Sequence, residues 1–236
     1  MLRRLTPHVA AYAASGRGAV AAARQHARHP WFLQADLKDF YPSVTADHVL
    51  QSLDRLHVPD LARPVLLGLV HTGSELPQGA PTSSGIGEQV LHRLDCRLDG
   101  FLRPHGVTYT RYADDITVSG GRKLQGRMQE MVYKIIADEG WILNDKGGLY
   151  GPTERHEMLG LVVNADPITS PGYIGRLRHL LRLVRRREAH LPPAKIRRIR
   201  GQIEWVRATS PLAAERLLVL LEDVAITPPA RPTNES

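Results

Sequence analysis

One cysteine in 236 residues excludes an internal disulfide and any cysteine-based zinc site. That residue, Cys96, falls on an apolar helix face and reads as a small core side chain. No run of eighteen apolar residues occurs, and Met1-Leu-Arg-Arg-Leu-Thr-Pro7 is too short and too polar for a secretory leader. These absences lead to the expectation of a cytoplasmic protein without membrane contact. The eleven histidines show no metal-ligand spacing and read as scattered core or surface residues. There is no internal repeat. Acidic residues are outnumbered 24 to 31 by Lys and Arg, giving a net charge of +7 and a pI of about 9.8. The excess is local: ten Arg and one Lys stand against two Glu between Tyr173 and Arg207. A patch of that kind suits a polyanion, most simply nucleic acid. What remains is an ordinary globular composition, 42% hydrophobic and 23% charged, long enough for one sizeable domain with a subdomain or for two small ones.

The stretch richest in chemistry is Thr110-Arg-Tyr-Ala-Asp-Asp-Ile-Thr-Val-Ser119. Residues 107–110 and 116–118 are β-branched or aromatic and predict two strands, with Ala113-Asp114-Asp115 at a tight hairpin turn. Aspartate is a good turn residue in any case. Two adjacent carboxylates nevertheless repel each other, and hard divalent cations such as Mg²⁺ would neutralise them. A second acid stands in similar surroundings. Trp31-Phe-Leu-Gln-Ala-Asp36-Leu is strand-like and ends near Pro42. If the strands are neighbours, Asp36 and Asp114 face each other, and two metals roughly 3.5–4 Å apart could be bridged for phosphoryl transfer. Leu76-Pro-Gln78-Gly79-Ala-Pro81 lies between them as a Pro/Gly turn that opens a helix.

The order of these pieces resembles the palm of reverse transcriptases, in particular the bacterial retron and group II intron type. The matching motifs are Asp36-Leu-Lys-Asp-Phe-Tyr41, Leu76-Pro-Gln-Gly-Ala-Pro81, Tyr112-Ala-Asp-Asp115, Leu143-Asn-Asp-Lys146 and Leu159-Gly-Leu-Val-Val-Asn164, in sequence over about 130 residues. The resemblance implies an α+β right-hand polymerase: a ferredoxin-like antiparallel palm sheet with helices on one face, reduced fingers and an α-helical thumb. It assigns residues 1–30 to residual fingers, 31–165 to the palm with a helical insertion at about 45–75, and 173–224 to the thumb. Residues 225–236, Pro-rich and polar, are expected to be disordered.

Taken in order, residues 7–30 predict helix interrupted by Ser15-Gly-Arg-Gly18. Tyr12-Ala-Ala-Ser-Gly-Arg17-Gly18 resembles the fingers motif ahead of the first catalytic strand. Ala22-Ala-Arg-Gln-His26 stands where retron enzymes carry Asn-Ala-x-x-His, with Ala22 in place of Asn. The upstream fingers segment is read as missing or vestigial, to be completed by a partner chain or a structured RNA. Thr45 caps a predicted helix 46–57 and Asp60 the next, through Val70. Ile86, Val90, Leu91, Leu94, Leu98 and Leu102 predict one long palm helix, begun near Pro81. Leu124, Met128, Met131 and Ile135 predict another, closed by Gly140, with the methionines as core filler. Lys146 is read as following a strand. Residues 149–151 and 157–164 are read as primer-gripping strands, with Met158-Leu-Gly160 where retron enzymes carry Val-Thr-Gly. Residues 166–172 form a linker, and helices follow at 173–190, 193–207 and 211–224.

For the site, the resemblance implies catalytic Asp36, Asp114, Asp115 and Lys146. Two Mg²⁺ ions, or Mn²⁺ as a substitute, would be held by Asp36, the Leu37 carbonyl, Asp114 and Asp115. Asp39 is read as a cap of the next turn or a structural residue. Nucleotide contacts fall to Tyr41, as a gate against a 2′-OH, and to Gln78 and Gly79. Lys146 would protonate the leaving pyrophosphate. Nucleic-acid contacts fall to Arg17, Arg176, Arg178, Arg182, Arg185, Arg186, Lys195, Arg197, Arg198, Arg200 and Trp205. The implied activity is RNA-directed DNA synthesis from dNTPs on an RNA template and primer, on a dedicated non-coding RNA in a retron-like or antiphage setting. Untemplated or protein-primed synthesis from the same site, and an RNA-binding subunit that needs a partner, are the alternatives. No appended endonuclease or maturase-like domain is recognised.

Overall fold

The structure is a computed structural model, which describes residues 7–13, 17–121, 124, 126–186 and 191–226. Of the tail expected over 225–236, residues 225 and 226 are the end of the last helix and 227–236 lie outside the described residues, as do the side chains of Lys146 and of 224–226. The chain divides into two compact units, Met1–His156 and Glu157–Ser236.

In the first unit, α1 (Gly18–His26) leads into β1 (Trp31–Leu37), a short α2 (Phe40–Ser43) and α3 (Ala46–Arg55). A 3₁₀ turn at Asp60–Ala62 precedes α4 (Arg63–Val70), α5 (Ser83–Val90) and α6 (His92–Leu102). The hairpin β2 (Thr108–Tyr112) and β3 (Asp115–Gly120), then α7 (Arg127–Asp138) and β4 (Leu143–Tyr150), complete it. The four strands form one antiparallel sheet in the order β2-β3-β1-β4. β3 is buried from Ile116 to Gly120, so it is covered on both faces. On one side α1 buries Ala22, Ala23 and His26. The main core gathers Leu33, Leu94, Leu98, Leu102, Ile116, Val118 and Ile136.

His26 sits between two strands, its Nδ1 2.6 Å from Ser119 Oγ and its Nε2 2.7 Å from Thr110 Oγ1. Burial, and then the neighbouring His29, push its pKa down to about 3, so the ring is neutral.

Several local expectations change. Residues 7–13 are not helical. Ala10 accepts from the Arg111 N–H at 2.8 Å, and the Tyr12 N–H donates to the Arg111 carbonyl at 2.8 Å. β2 is an edge strand, and its unpaired backbone groups outcompete the helix propensity of the alanines. Asp60 lies inside the 3₁₀ turn and pairs with Arg63 at 3.0 Å instead of capping α4. Thr45 does cap α3, in a reciprocal box with His48. The long palm helix is two helices, interrupted at Leu91 and begun after Thr82. Cys96 is exposed because α6 turns Leu94, Asp95 and Leu98 inward. Met131 is also exposed: α7 buries Val132, Ile135 and Ile136, a stripe displaced by one residue. Lys146 lies within the single strand β4, not after one.

In the second unit, β5 (Glu157–Met158), β6 (Leu161–Val162) and β7 (Ile168–Thr169) form a small antiparallel sheet. β7 occupies what the sequence suggested was linker. Three helices follow, α8 (Pro171–Arg186), α9 (Pro193–Arg207) and α10 (Pro211–Ile226). Leu177 and Leu181 of α8, Ile199, Ile203 and Val206 of α9, and Leu217 and Leu221 of α10 share one core. Leu159 and Gly160 turn the β5–β6 hairpin with φ of 51° and 76°, the paired left-handed geometry of a tight hairpin. A Cβ on Gly160 would stand 3.3 Å from the Trp205 ring.

Candidate active site

The hairpin β2–β3 pairs Tyr112 with Asp115, leaving Ala113 and Asp114 as a two-residue turn. Ala113 holds φ 55°, the left-handed conformation such a turn demands. The next strand over, β1, pairs with β3 so that Asp36 is the register partner of Asp115. The sequence had placed Asp114 opposite Asp36. The turn closes at Asp114 instead of taking in Asp115, so Asp115 opens β3 and falls opposite Asp36. Asp114 is joined to the same strand through its backbone, its carbonyl accepting from the Leu37 N–H at 3.2 Å.

On its other side β1 pairs with β4, with a register shift between Ala35 and Leu37. From Ala35 to Leu37 β1 advances two residues while β4 advances four, Gly147 to Leu143, so the irregularity lies in β4 and bulges it at 144–146, opposite Asp36. Asn144 of β4 donates from Nδ2 to Asp36 Oδ2 at 3.2 Å. Gly147 lets β4 pass close to β1: a Cβ there would stand 2.6 Å from the Gln34 carbonyl oxygen, at φ 116°.

The carboxylates act on one another. Partial burial, followed by the charge of Asp36, raises the pKa of Asp114. Partial enclosure, followed by Asp36 and Asp114, pushes Asp115 up to about 6. Asp115 is exposed, and its two acidic neighbours disfavour its ionised form. Among the described residues, no three His, Cys, Asp or Glu side chains are gathered closely enough to hold an ion unaided. The oxygen donors of Asp36 and Asp114 are of the kind a hard cation such as Mg²⁺ takes, one or two carboxylates with water and substrate phosphates completing its shell.

Tyr41 follows in α2. Partial burial, then Asp114 and Glu88, raise its phenol pKa, which puts the ring within electrostatic reach of the turn. Phe40 and Tyr41 both lie against Gly87 of α5, where an added Cβ would meet the Phe40 ring at 3.0 Å. The Tyr41 carbonyl accepts from the Leu76 N–H at 3.2 Å, so the 76–79 loop is tied to it. Ser83 Oγ braces that loop by donating to the Pro77 carbonyl at 2.6 Å. Gln78 and Gly79 are exposed at its tip, Gly79 with φ 86°. Asp39 occupies the N-cap position of α2 at φ 46° but makes no side-chain cap bond.

Arg17 spends Nη1 on the carbonyls of His8, Val9 and Ala11, at 3.0, 2.7 and 3.2 Å. Its visible work is to fold the N-terminal arm. In the second unit Arg176, Arg178, Arg182, Arg185, Arg186, Lys195, Arg197, Arg198 and Arg200 are all exposed. Arg185 pairs with Asp223 at 3.1 Å. Trp205 is half-buried, its ring centroid 5.0 Å from that of Tyr173. Sequence reasoning missed Asn144, Gly147 and a buried ion cluster of Arg111, Asp95 and Glu88. Arg111 adjoined a recognised motif. Nothing in the linear sequence marked Asp95 or Glu88 as its partners.

The profile described as "Reverse transcriptase (RNA-dependent DNA polymerase)" matches residues 2–146, more than half of the chain. The chain belongs to the reverse transcriptase family. Among curated relatives it is 29% identical to the retron Ec86 reverse transcriptase of Escherichia coli over 204 residues, covering 84% of this chain and 62% of that one. It is also 29% identical to the retron Mx162 reverse transcriptase of Myxococcus xanthus over 272 residues, covering all of this chain and 56% of that one. The chain thus spans roughly three-fifths of the length of these relatives. A telomerase from Candida albicans, solved with a fragment of telomeric RNA, superposes with a TM-score of 0.52 at 11% identity. That match covers 91% of this chain and 52% of the telomerase, and it shows the fold alone. This member of the reverse transcriptase family therefore has the right-hand polymerase fold that its motifs implied. No helix among the described residues is long and apolar enough to cross a membrane.

Proposed function

We propose that this chain is an RNA-directed DNA polymerase that adds dNTPs to a primer 3′-OH on an RNA template. The observation that carries this reading is the convergence of Asp36, Asp114 and Asp115 on one end of the β1–β3 pair, within a chain of this family. Asp36, the Leu37 carbonyl and Asp114 would hold two Mg²⁺ ions, or Mn²⁺, with Asp115 in support. When bound, the ions lower the pKa of the attacking hydroxyl and offset charge on the leaving pyrophosphate.

The protein's own residues supply the rest. Tyr41, braced on Gly87, presents an aromatic wall beside the sugar and disfavours a 2′-OH. Gln78 and Gly79, tied to Tyr41 through Leu76, contact the incoming nucleotide and the template base. Lys146, on β4 beyond Asn144, delivers a proton to the pyrophosphate. The exposed Arg and Lys residues of α8 and α9 hold phosphates of the primer–template hybrid. In this reading residues 31–165 serve as palm and 173–224 as thumb, with residues 1–30 belonging to the fingers. Kinship with retron enzymes supports a retron-like or antiphage setting.

Purified protein supplied with an RNA template, a DNA primer, Mg²⁺ and dNTPs tests this directly by product sequencing. DNA complementary to the template supports the proposal. Homopolymer contradicts templated synthesis, and protein-linked product contradicts extension from the primer 3′-OH.

A further inference from the structure

The largest fully buried side chain of the protein is Arg111, one residue before Tyr112 on β2. Its guanidinium is held as a fork. Nε donates to Asp95 Oδ1 at 2.8 Å, and Nη2 donates to Asp95 Oδ2 at 2.7 Å and to Glu88 Oε2 at 2.9 Å. Asp95 belongs to α6 and Glu88 to α5. The Tyr109 hydroxyl donates to Asp95 Oδ1 at 2.6 Å, which fixes the carboxylate in turn. A planar cation held by two helices and its own strand has one available aim.

That aim is the catalytic turn. Arg111 Nη1 donates to the Ala113 carbonyl at 2.7 Å. This carbonyl belongs to the peptide unit that also carries the Asp114 N–H, so holding it sets the plane from which Asp114 departs. Ala113 is left-handed, a conformation an L residue keeps only when its surroundings over-determine it. The following peptide unit is held from the other side, by the Leu37 N–H on the Asp114 carbonyl. Asp114 thus stands between two clamped peptide planes, one fixed by Arg111 and one by the strand that carries Asp36.

We propose that Arg111 is the positioning residue of the catalytic turn: anchored by Asp95 and Glu88, it holds the Ala113 carbonyl and so fixes the direction of the Asp114 carboxylate. This rests on the polymerase reading for its consequence, but not for its geometry. Nucleic-acid binding lies with other residues, so the defect on losing Arg111 is one of rate, not of primer–template affinity.

The experiment compares three variants of the full chain with wild type. Arg111→Lys keeps the charge and loses the fork. Arg111→Gln with Asp95→Asn removes the fork and the carboxylate it grips together, and leaves Glu88, whose pKa burial already raises, to take up a proton. Glu88→Gln weakens one anchor and spares the fold. Two readouts are taken: amide hydrogen exchange along the chain, and primer extension with separate kcat, dNTP KM and primer–template Kd. In the double variant we expect exchange at Asp114 and Asp115, and at the Leu37 amide that bonds the turn, to rise at least about tenfold, with Phe32–Ala35 unchanged. We expect kcat to fall at least about thirtyfold, with Kd within about threefold. Glu88→Gln should show the same pattern at a few-fold. Unchanged exchange at the turn in folded variants overturns the proposal, and so does faster exchange with an unchanged kcat. If wild type itself extends no primer, the polymerase reading fails, while the exchange arm still decides whether Arg111 orders the turn.

Discussion

Asp36 stands directly opposite Asp115 across the β1–β3 pair, with Asp114 one residue away in the turn. Like charges at facing positions in a sheet are destabilising, so the fold is strained where the chemistry is expected. Replacing Asp115 by Asn should therefore raise Tm slightly in metal-free buffer while reducing primer extension about 10²-fold or more. Thermal melts in EDTA and extension assays on the same preparation check this. A variant that loses stability as well as activity would mean that Asp115 is a structural turn residue.

Gly147 is required by contact, not by flexibility alone. Its missing Cβ would fall 2.6 Å from the Gln34 carbonyl oxygen, a backbone atom that cannot step aside. Gly147→Ala should cost about 2–4 kcal/mol, read from urea denaturation. It should also loosen the hydrogen bond from Asn144 to Asp36, because both depend on the path of β4.

Tyr41 is predicted to discriminate sugars. Tyr41→Ala should leave dNTP incorporation within about an order of magnitude and raise relative rNTP incorporation roughly 10–200-fold, the range that a shaped apolar contact can supply. Single-nucleotide insertion with paired dNTP and rNTP measures the ratio. Gly87→Ala, which crowds the Phe40 ring at 3.0 Å, should shift the same ratio by a smaller factor.

His26 couples stability to pH. Its folded pKa of about 3 lies below the ordinary value of 6.5, so the unfolded chain binds a proton first. Stability from this group is complete above pH 6.5 and is lost as pH falls toward 3. Between pH 6.5 and 4.5 the loss should be roughly 2–3 kcal/mol. The burial-lowered pKa of His29, whose Nδ1 stands 2.6 Å from the same Ser119 Oγ, adds in the same direction. Denaturant titrations of wild type and His26→Gln across this range should converge as pH falls. Parallel curves would contradict the assignment.

The sheet and its acids were legible in the sequence because their signals are local. β1 announces itself by apolar residues up to Asp36, and the hairpin by β-branched runs on either side of Ala113-Asp114. The three C-terminal helices were equally visible, since Leu177, Leu181 and Val184 repeat at helical spacing and prolines mark the starts of α9 and α10. What escaped was set by distant contacts. The register that pairs Asp36 with Asp115 depends on where the turn ends, a matter of one residue. Residues 7–13 look helical by composition but follow the open edge of β2. Cys96 and Met131 were placed inside by helical stripes that the fold rotates by one position. Arg111, Asp95 and Glu88 lie 16 and 23 residues apart in pairs that only the packing of α5 and α6 against β2 brings together.

The most direct test of the account is primer extension by the purified chain on an RNA template, beside Asp114→Ala and Asp36→Asn. Primer–template affinity is measured in parallel. The account predicts templated DNA from wild type, loss of extension by at least about 10³-fold in either variant, and affinity within about threefold of wild type. Extension that persists in Asp114→Ala would contradict it, because the turn that organises this site would then not be the site of the chemistry.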